Sequence, residues 1–173
     1  MRARKFSLPL SALAVVVALG TTAGVATTAA VNDCDDNSPR LEGSWSGVAT
    51  AVNPPNLPQI RDLITFTRDG NVIESRSPFA PATPLGAILA TAGHGEWVRT
   101  GWRDYDVKFV FLIQRAPPSD GALIGTETIQ MRLTLDRSGD SLTGTLTSEI
   151  RNANGVVFNA NGTYNATRIR VAR

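Results

Sequence analysis

The sequence predicts an all-β protein, an eight-stranded antiparallel up-and-down barrel. Three observations carry that prediction. From Leu41 onward, short runs alternate apolar and polar residues with period two, so each run has one dry and one wet face. The runs recur at regular spacing and most are joined by tight-turn signals. No amphipathic helix of useful length is present to cover a flat sheet. A meander of eight strands best removes its open edges by closing on itself, although the same pattern also allows a two-sheet sandwich.

The first run covers 43–52 and ends at Pro54, Pro55 and Pro58. The second, 62–68, sets Ile64 and Phe66 against Thr65 and Thr67. Asp69-Gly70 follows, a hairpin signal because a type I′ turn needs positive φ at both central residues. The third run, 71–77, returns antiparallel. Residues 78–93 are rich in Ala, Pro and Gly and read as a long loop whose centre, 85–92, forms a short helix or lid. The fourth run is 96–102, with a turn at Gly101, Arg103 and Asp104.

The fifth, 105–114, places Tyr105, Val107, Phe109, Phe111 and Ile113 on one face. A Pro117-Pro118-Ser119-Asp120-Gly121 loop precedes the sixth, 124–136, which aligns Ile129, Met131, Leu133 and Leu135. The seventh, 141–151, alternates Leu142, Gly144, Leu146, Ser148 and Ile150 with threonines and Glu149. Asn154-Gly155 turns the chain into the eighth, 156–171, with a bend at Gly162.

The first 30 residues read differently. Arg2, Arg4 and Lys5 are followed by an apolar run over 8–19 and by small residues over 20–30, the grammar of a cleaved secretory signal. The run is shorter than the roughly 20 residues a membrane anchor needs. Residues 31–40 are polar and acidic, a flexible leader, and the barrel domain is 41–173. The expected location is therefore secreted or periplasmic, with no integral membrane segment once the signal is removed. Asp33 directly before Cys34 argues against lipid attachment, and a single cysteine allows no internal disulfide.

The chain's net charge of +2 comes from the leading segment. Removing Arg2, Arg4 and Lys5 from the 17 basic residues leaves 14 against 15 acidic ones. The remaining basic residues are scattered, which gives no footprint for nucleic acid. One histidine and one cysteine, far apart, do not make a zinc set, and Asp33, Asp35 and Asp36 lack calcium-loop spacing. No cofactor is expected: neither a Gly-x-Ser-x-Gly elbow nor a phosphate loop occurs.

Gly43-Ser44-Trp45 at the start of the first run resembles the Gly-x-Trp signature of lipocalins and the wider calycin group. In that group the tryptophan closes the barrel floor and an arginine from near the last strand packs across its ring. Arg168 and Arg170 stand where such a residue would be, and a guanidinium over an indole is worth roughly 0.5–2 kcal/mol. The stretches 65–70, 93–101, 133–140 and 162–169 also resemble a group of secreted bacterial proteins of largely unassigned function. The resemblance implies export and a lipocalin-like barrel; it implies no reaction. Both Asn-x-Thr sequons, at Asn161 and Asn165, read as chance in that setting.

Function at this point is an expectation from architecture. Trp97, Tyr105, Phe109, Phe111, Met131, Phe158 and Tyr164 are candidates to line an interior that binds a small hydrophobic molecule, and Trp102 is a further aromatic of the same kind. Gly144, Ser148, Ala160 and Gly162 leave space on the inward faces. A second expectation is a cofactor-free cyclase or isomerase that uses the cavity as a mould, with His94, Glu96, Arg99 and Glu127 as candidate polar groups. The third is a structural or interaction domain with a filled barrel. Oligomeric state has no signature in the sequence.

Overall fold

A computed structural model describes residues 40–77, 85–117 and 121–171. The sequence expectations for 1–39, and the part of the 78–93 loop that covers 78–84, lie outside these residues. Nine strands are formed: β1 (Gly43–Asn53), β2 (Ile60–Phe66), β3 (Asn71–Arg76), β4 (Ile88–Ala90), β5 (Gly93–Arg99), β6 (Asp104–Arg115), β7 (Leu123–Leu135), β8 (Ser141–Asn152) and β9 (Gly155–Arg168). Every pairing is antiparallel.

The strands close on themselves. β1 pairs with β2 on one edge and β9 on the other, and the β6–β7 pairing completes the ring. β4 and β5 lie end to end along the same edge of β6: Ala90 opposes Ile113 and His94 opposes Val110. Between them Thr91 bridges the gap, its backbone N–H donating to Leu112 O at 3.0 Å and its hydroxyl accepting from Leu112 N–H at 3.1 Å. The barrel therefore has eight staves, one of them interrupted.

This corrects the reading of 85–92 as a helix or lid. Ile88 is buried and its backbone pairs with Arg115, so the segment extends the sheet. The fourth run is corrected too. β5 starts at Gly93 and ends at Arg99, because Thr100 and Gly101 donate their N–H groups to Asp104 O and turn the chain there. Trp102 sits in that turn, 64% exposed, and lines no interior.

Elsewhere the period-two faces are those of the sequence pattern. In β6, Tyr105, Val107, Phe109, Phe111 and Ile113 are all buried and alternate with exposed residues. Each such side chain contributes roughly 1.5–3 kcal/mol on leaving water. Ile129, Met131, Leu133 and Leu135 do the same in β7.

Gly144 and Gly162 face inward, but a Cβ on either would lie 2.0 Å from Arg132 O or 2.3 Å from Thr50 O. They serve close strand approach rather than cavity space. A bulge in β1 at Val52 faces this part of β9, where Ala51 opposes Gly162 and Asn53 opposes Asn161.

Candidate functional site

The barrel has two unlike ends. At the end where β1 begins and β9 finishes, Trp45 is fully buried and its indole N–H donates to Leu41 O at 3.0 Å. Trp45 and Arg168 are direct cross-strand partners, and the Arg168 guanidinium carbon stands 4.2 Å from the indole centroid. That guanidinium also donates to Gly139 O at 2.7 Å, to Glu42 O at 2.5 Å and to Arg40 O. Gly43 makes room: its φ is +127°, and a Cβ there would lie 2.7 Å from the Arg168 Nη1. Phe66, Trp97 and Tyr105 stack edge-to-face behind this floor, with centroids 6.3 and 5.7 Å apart. Arg170 is not part of it; its side chain is exposed and pairs with Asp140 at 2.5 Å.

Toward the other end, five strands send polar groups into the interior. On β2 the inward series Phe66, Ile64 continues to Asp62. On β3, Val72 is followed by Glu74 and Arg76, and Glu74 is only 2% exposed. β7 contributes Glu127 and β8 contributes Ser148, both buried, and Tyr164 of β9 completes the group.

Arg76 donates to Glu127 Oε2 at 3.1 Å, and Ser148 donates to Glu127 Oε1 at 2.7 Å. The Arg76 guanidinium also lies 3.8 Å from the Phe111 ring centroid. Tyr164 donates to Asp62 Oδ1 at 2.9 Å. Arg76 Nε comes within 3.5 Å of Glu74 Oε1, close enough for charge attraction but without hydrogen-bond geometry, so Arg76 Nε lacks an acceptor; no N–H or hydroxyl donor reaches Glu74 Oε2, and the Glu74 carboxyl shares a hydrogen bond with that of Asp62. A buried polar atom left unpaired is costly.

This environment shifts the carboxyls. Burial pushes Glu74 up to about 8; Arg76 opposes the rise, while Asp62 and Glu127 add to it. Burial likewise raises Asp62 to about 6, against the Tyr164 hydrogen bond and the Arg76 charge that hold it down. Burial and then Asp62 push the Tyr164 phenol well above its ordinary range, so it stays a donor. Of the two neighbouring carboxyls, burial and the surrounding negative charge favour a proton on Glu74 more strongly than on Asp62.

Beside the cluster lies a partly enclosed cavity of about 100 Å³. Its walls are mainly apolar, among them Ile60, Ile88, Ile129, Leu146 and Ile150, and Leu57 and Pro58 of the β1–β2 connection border it. Asp62, Glu74, Arg76, Glu127, Ser148 and Tyr164 form one side.

Of the aromatic and thioether candidates, Phe109, Met131, Phe158 and Tyr164 line this cavity. Trp97 and Tyr105 pack at the floor, and Phe111 lies beneath Arg76. Of the polar candidates, Glu127 alone faces inward; His94, Glu96 and Arg99 are exposed on β5. Gly93 and Gly95 are inward there, with a Cβ on Gly93 reaching to 2.6 Å from the Phe111 ring, so His94 and Glu96 point together to the outside.

Asp62, Glu74 and Arg76 were not singled out from sequence. Their signal was present nonetheless: Phe66 opposes Val72 across the Asp69-Gly70 turn, so an inward Phe66 sends Val72, Glu74 and Arg76 inward as well.

No family model and no curated protein matches the chain. Among solved structures it is similar to a redesigned β-barrel, with 16% identity over 75% of this chain and 92% of that one and a TM-score of 0.44.

Proposed function

We propose that this protein is an exported, lipocalin-like barrel that holds a small, mainly apolar molecule in its interior. One observation carries the reading: a cavity of about 100 Å³ with largely apolar walls lies away from the plugged end, beside a few convergent polar groups. The volume limits the ligand. Drug-sized sites run to roughly 300–1,000 Å³, whereas an apolar cavity of ~150 Å³ takes benzene. A compact molecule of that order suits this barrel.

Support for the calycin-type reading is the indole and guanidinium stacked across the β1–β9 seam behind Gly43. Support for export is the basic, apolar and small-residue order of the first 30 residues. A filled structural barrel is disfavoured by the cavity itself, and the isomerase reading has three of its four candidates facing solvent.

Uptake of a small apolar probe, followed by NMR shift changes at Ile129, Met131 and Ile150, tests the binding role. Wild-type protein is expected to take up cyclopentane or benzene saturably. Ala160→Leu, which grows into the cavity, is expected to abolish uptake with little change in Tm. Equal uptake by both proteins, or none by wild type, overturns the proposal.

A further inference from the structure

The polar side of the cavity has an unbalanced composition. Asp62, Glu74 and Glu127 supply three carboxyl groups, and among the described residues that line the cavity Arg76 is the only cation. Arg76 is already committed to Glu127 at 3.1 Å and to the Phe111 ring at 3.8 Å. Fully ionised, the group would carry an excess of negative charge in a site with little water, which is strongly unfavourable. Two things relieve such an excess: a proton or a bound cation.

Glu74 is where the relief is needed. Its side chain is 2% exposed and borders the cavity, its carboxyl shares a hydrogen bond with the Asp62 carboxyl, and no N–H or hydroxyl donor reaches its Oε2. The groups facing it are Asp62 from β2, Arg76 from β3, Glu127 from β7 and Tyr164 from β9; β8 contributes only the Ser148 hydroxyl, and β5 and β6 contribute Gly93 and Phe111. Resting on the reading of the cavity as a ligand site, we infer that the molecule it takes is a small aliphatic or cyclic amine, seated with its ammonium N–H groups toward Glu74 Oε2 and its hydrocarbon body against Ile129, Leu146 and Ile150.

The chemistry selects this class over others. A carboxylate or phosphate would add negative charge beside Asp62 and Glu127. A metal ion fits poorly, because the Arg76 guanidinium occupies the space between Glu74 and Glu127 and, among the described residues, no three ligating side chains converge. An alcohol satisfies one hydrogen bond but leaves the charge unbalanced. An ammonium group does both. On binding it replaces the proton that burial keeps on Glu74, and that proton leaves to solvent.

The test titrates the protein with three probes of one shape: cyclopentylamine, cyclopentanol and cyclopentanecarboxylate, at pH 7. The amine is expected to bind at least tenfold tighter than the alcohol, and the carboxylate not at all. The calorimetric enthalpy of amine binding is expected to change between Tris and phosphate buffer, in proportion to released protons. Glu74→Gln is expected to bring amine and alcohol to equal affinity while keeping alcohol binding, which also shows that the variant is folded. Equal binding of amine and alcohol by wild type, or preference for the carboxylate, overturns the amine assignment and leaves the apolar-cavity reading standing. If none of the three binds, nor cyclopentane, the cavity reading falls and this inference with it.

Discussion

Tyr164 reaches Asp62 through the volume that a side chain at position 47 would fill. The phenol donates to the carboxylate at 2.9 Å, and a Cβ on Gly47 would stand 2.0 Å from the phenol oxygen and 2.2 Å from Asp62 Oδ1. Three strands, β1, β2 and β9, thus meet at one hydrogen bond whose existence depends on a glycine.

Gly47→Ala is therefore expected to destabilise the fold more than Tyr164→Phe. The phenylalanine variant leaves one buried acceptor short of a donor, a cost of about 1–3 kcal/mol. The alanine variant breaks the same bond and adds a steric clash on a rigid strand. Urea unfolding of both and of the double variant checks this. The double variant is expected to cost less than the sum of the two singles, since part of each loss is the same bond.

Stability is expected to fall as pH rises from about 4.5 to 8. The sign follows from linkage: Glu74 and Asp62 have folded pKa values of about 8 and about 6, raised from 4.5 and 3.8, so the folded state binds more protons than the unfolded one across that window. Proton-linked stability is complete below the unfolded values and lost as pH climbs through the folded ones. Thermal melts from pH 4.5 to 8.5 are expected to show Tm dropping by several degrees, and Glu74→Gln is expected to flatten the upper part of the curve. A Tm that rises over this range contradicts the assignment.

Arg76→Met removes the cation and leaves Glu127 buried without its ion pair. Breaking a buried pair in this way costs on the order of 3–5 kcal/mol. The loss is expected to be larger at pH 8 than at pH 5, because acid lets the stranded carboxylates take up protons. Denaturant midpoints at the two pH values decide it. An equal loss at both would mean that Arg76 acts through packing on Phe111 alone.

At the plugged end, Arg168→Lys keeps the charge but loses the planar fork that meets three carbonyls and the Trp45 ring. A loss of about 2–4 kcal/mol is expected from those contacts together. Trp45 is fully buried, so its emission is expected to shift to the red in native buffer if the ring becomes wetted. Ligand uptake at the opposite end is expected to persist in this variant.

Much of the barrel was legible because burial imposes period two. β6, β7 and β8 carry unbroken inward series, and their boundaries fall within a residue or two of the pattern. β4 was not legible: three residues in a stretch dominated by Ala, Pro and Gly have no period to show, and their strand geometry comes from β6. The polar cluster was hidden for another reason. A charged residue in an alternating run is normally assigned to the wet face, and in β3 the adjacent Val72 and Ile73 offered two registers. Ile73 proves to be the outward one, and Glu74 follows Val72 inside. The Gly-x-Trp motif marked the floor, but its glycine was an unexplained constant until the Arg168 guanidinium was seen to need the space.

The seam that joins β1 to β9 has a further consequence. Gly43 and Arg168 lie side by side, so β1 begins and β9 finishes at the sealed base, while the β1–β2 and β8–β9 connections lie at the opposite rim, where β3 and β6 also end. Joining the termini and cutting the chain at a base-side hairpin such as Asp136–Ser141 would rearrange the order of the staves without disturbing the rim.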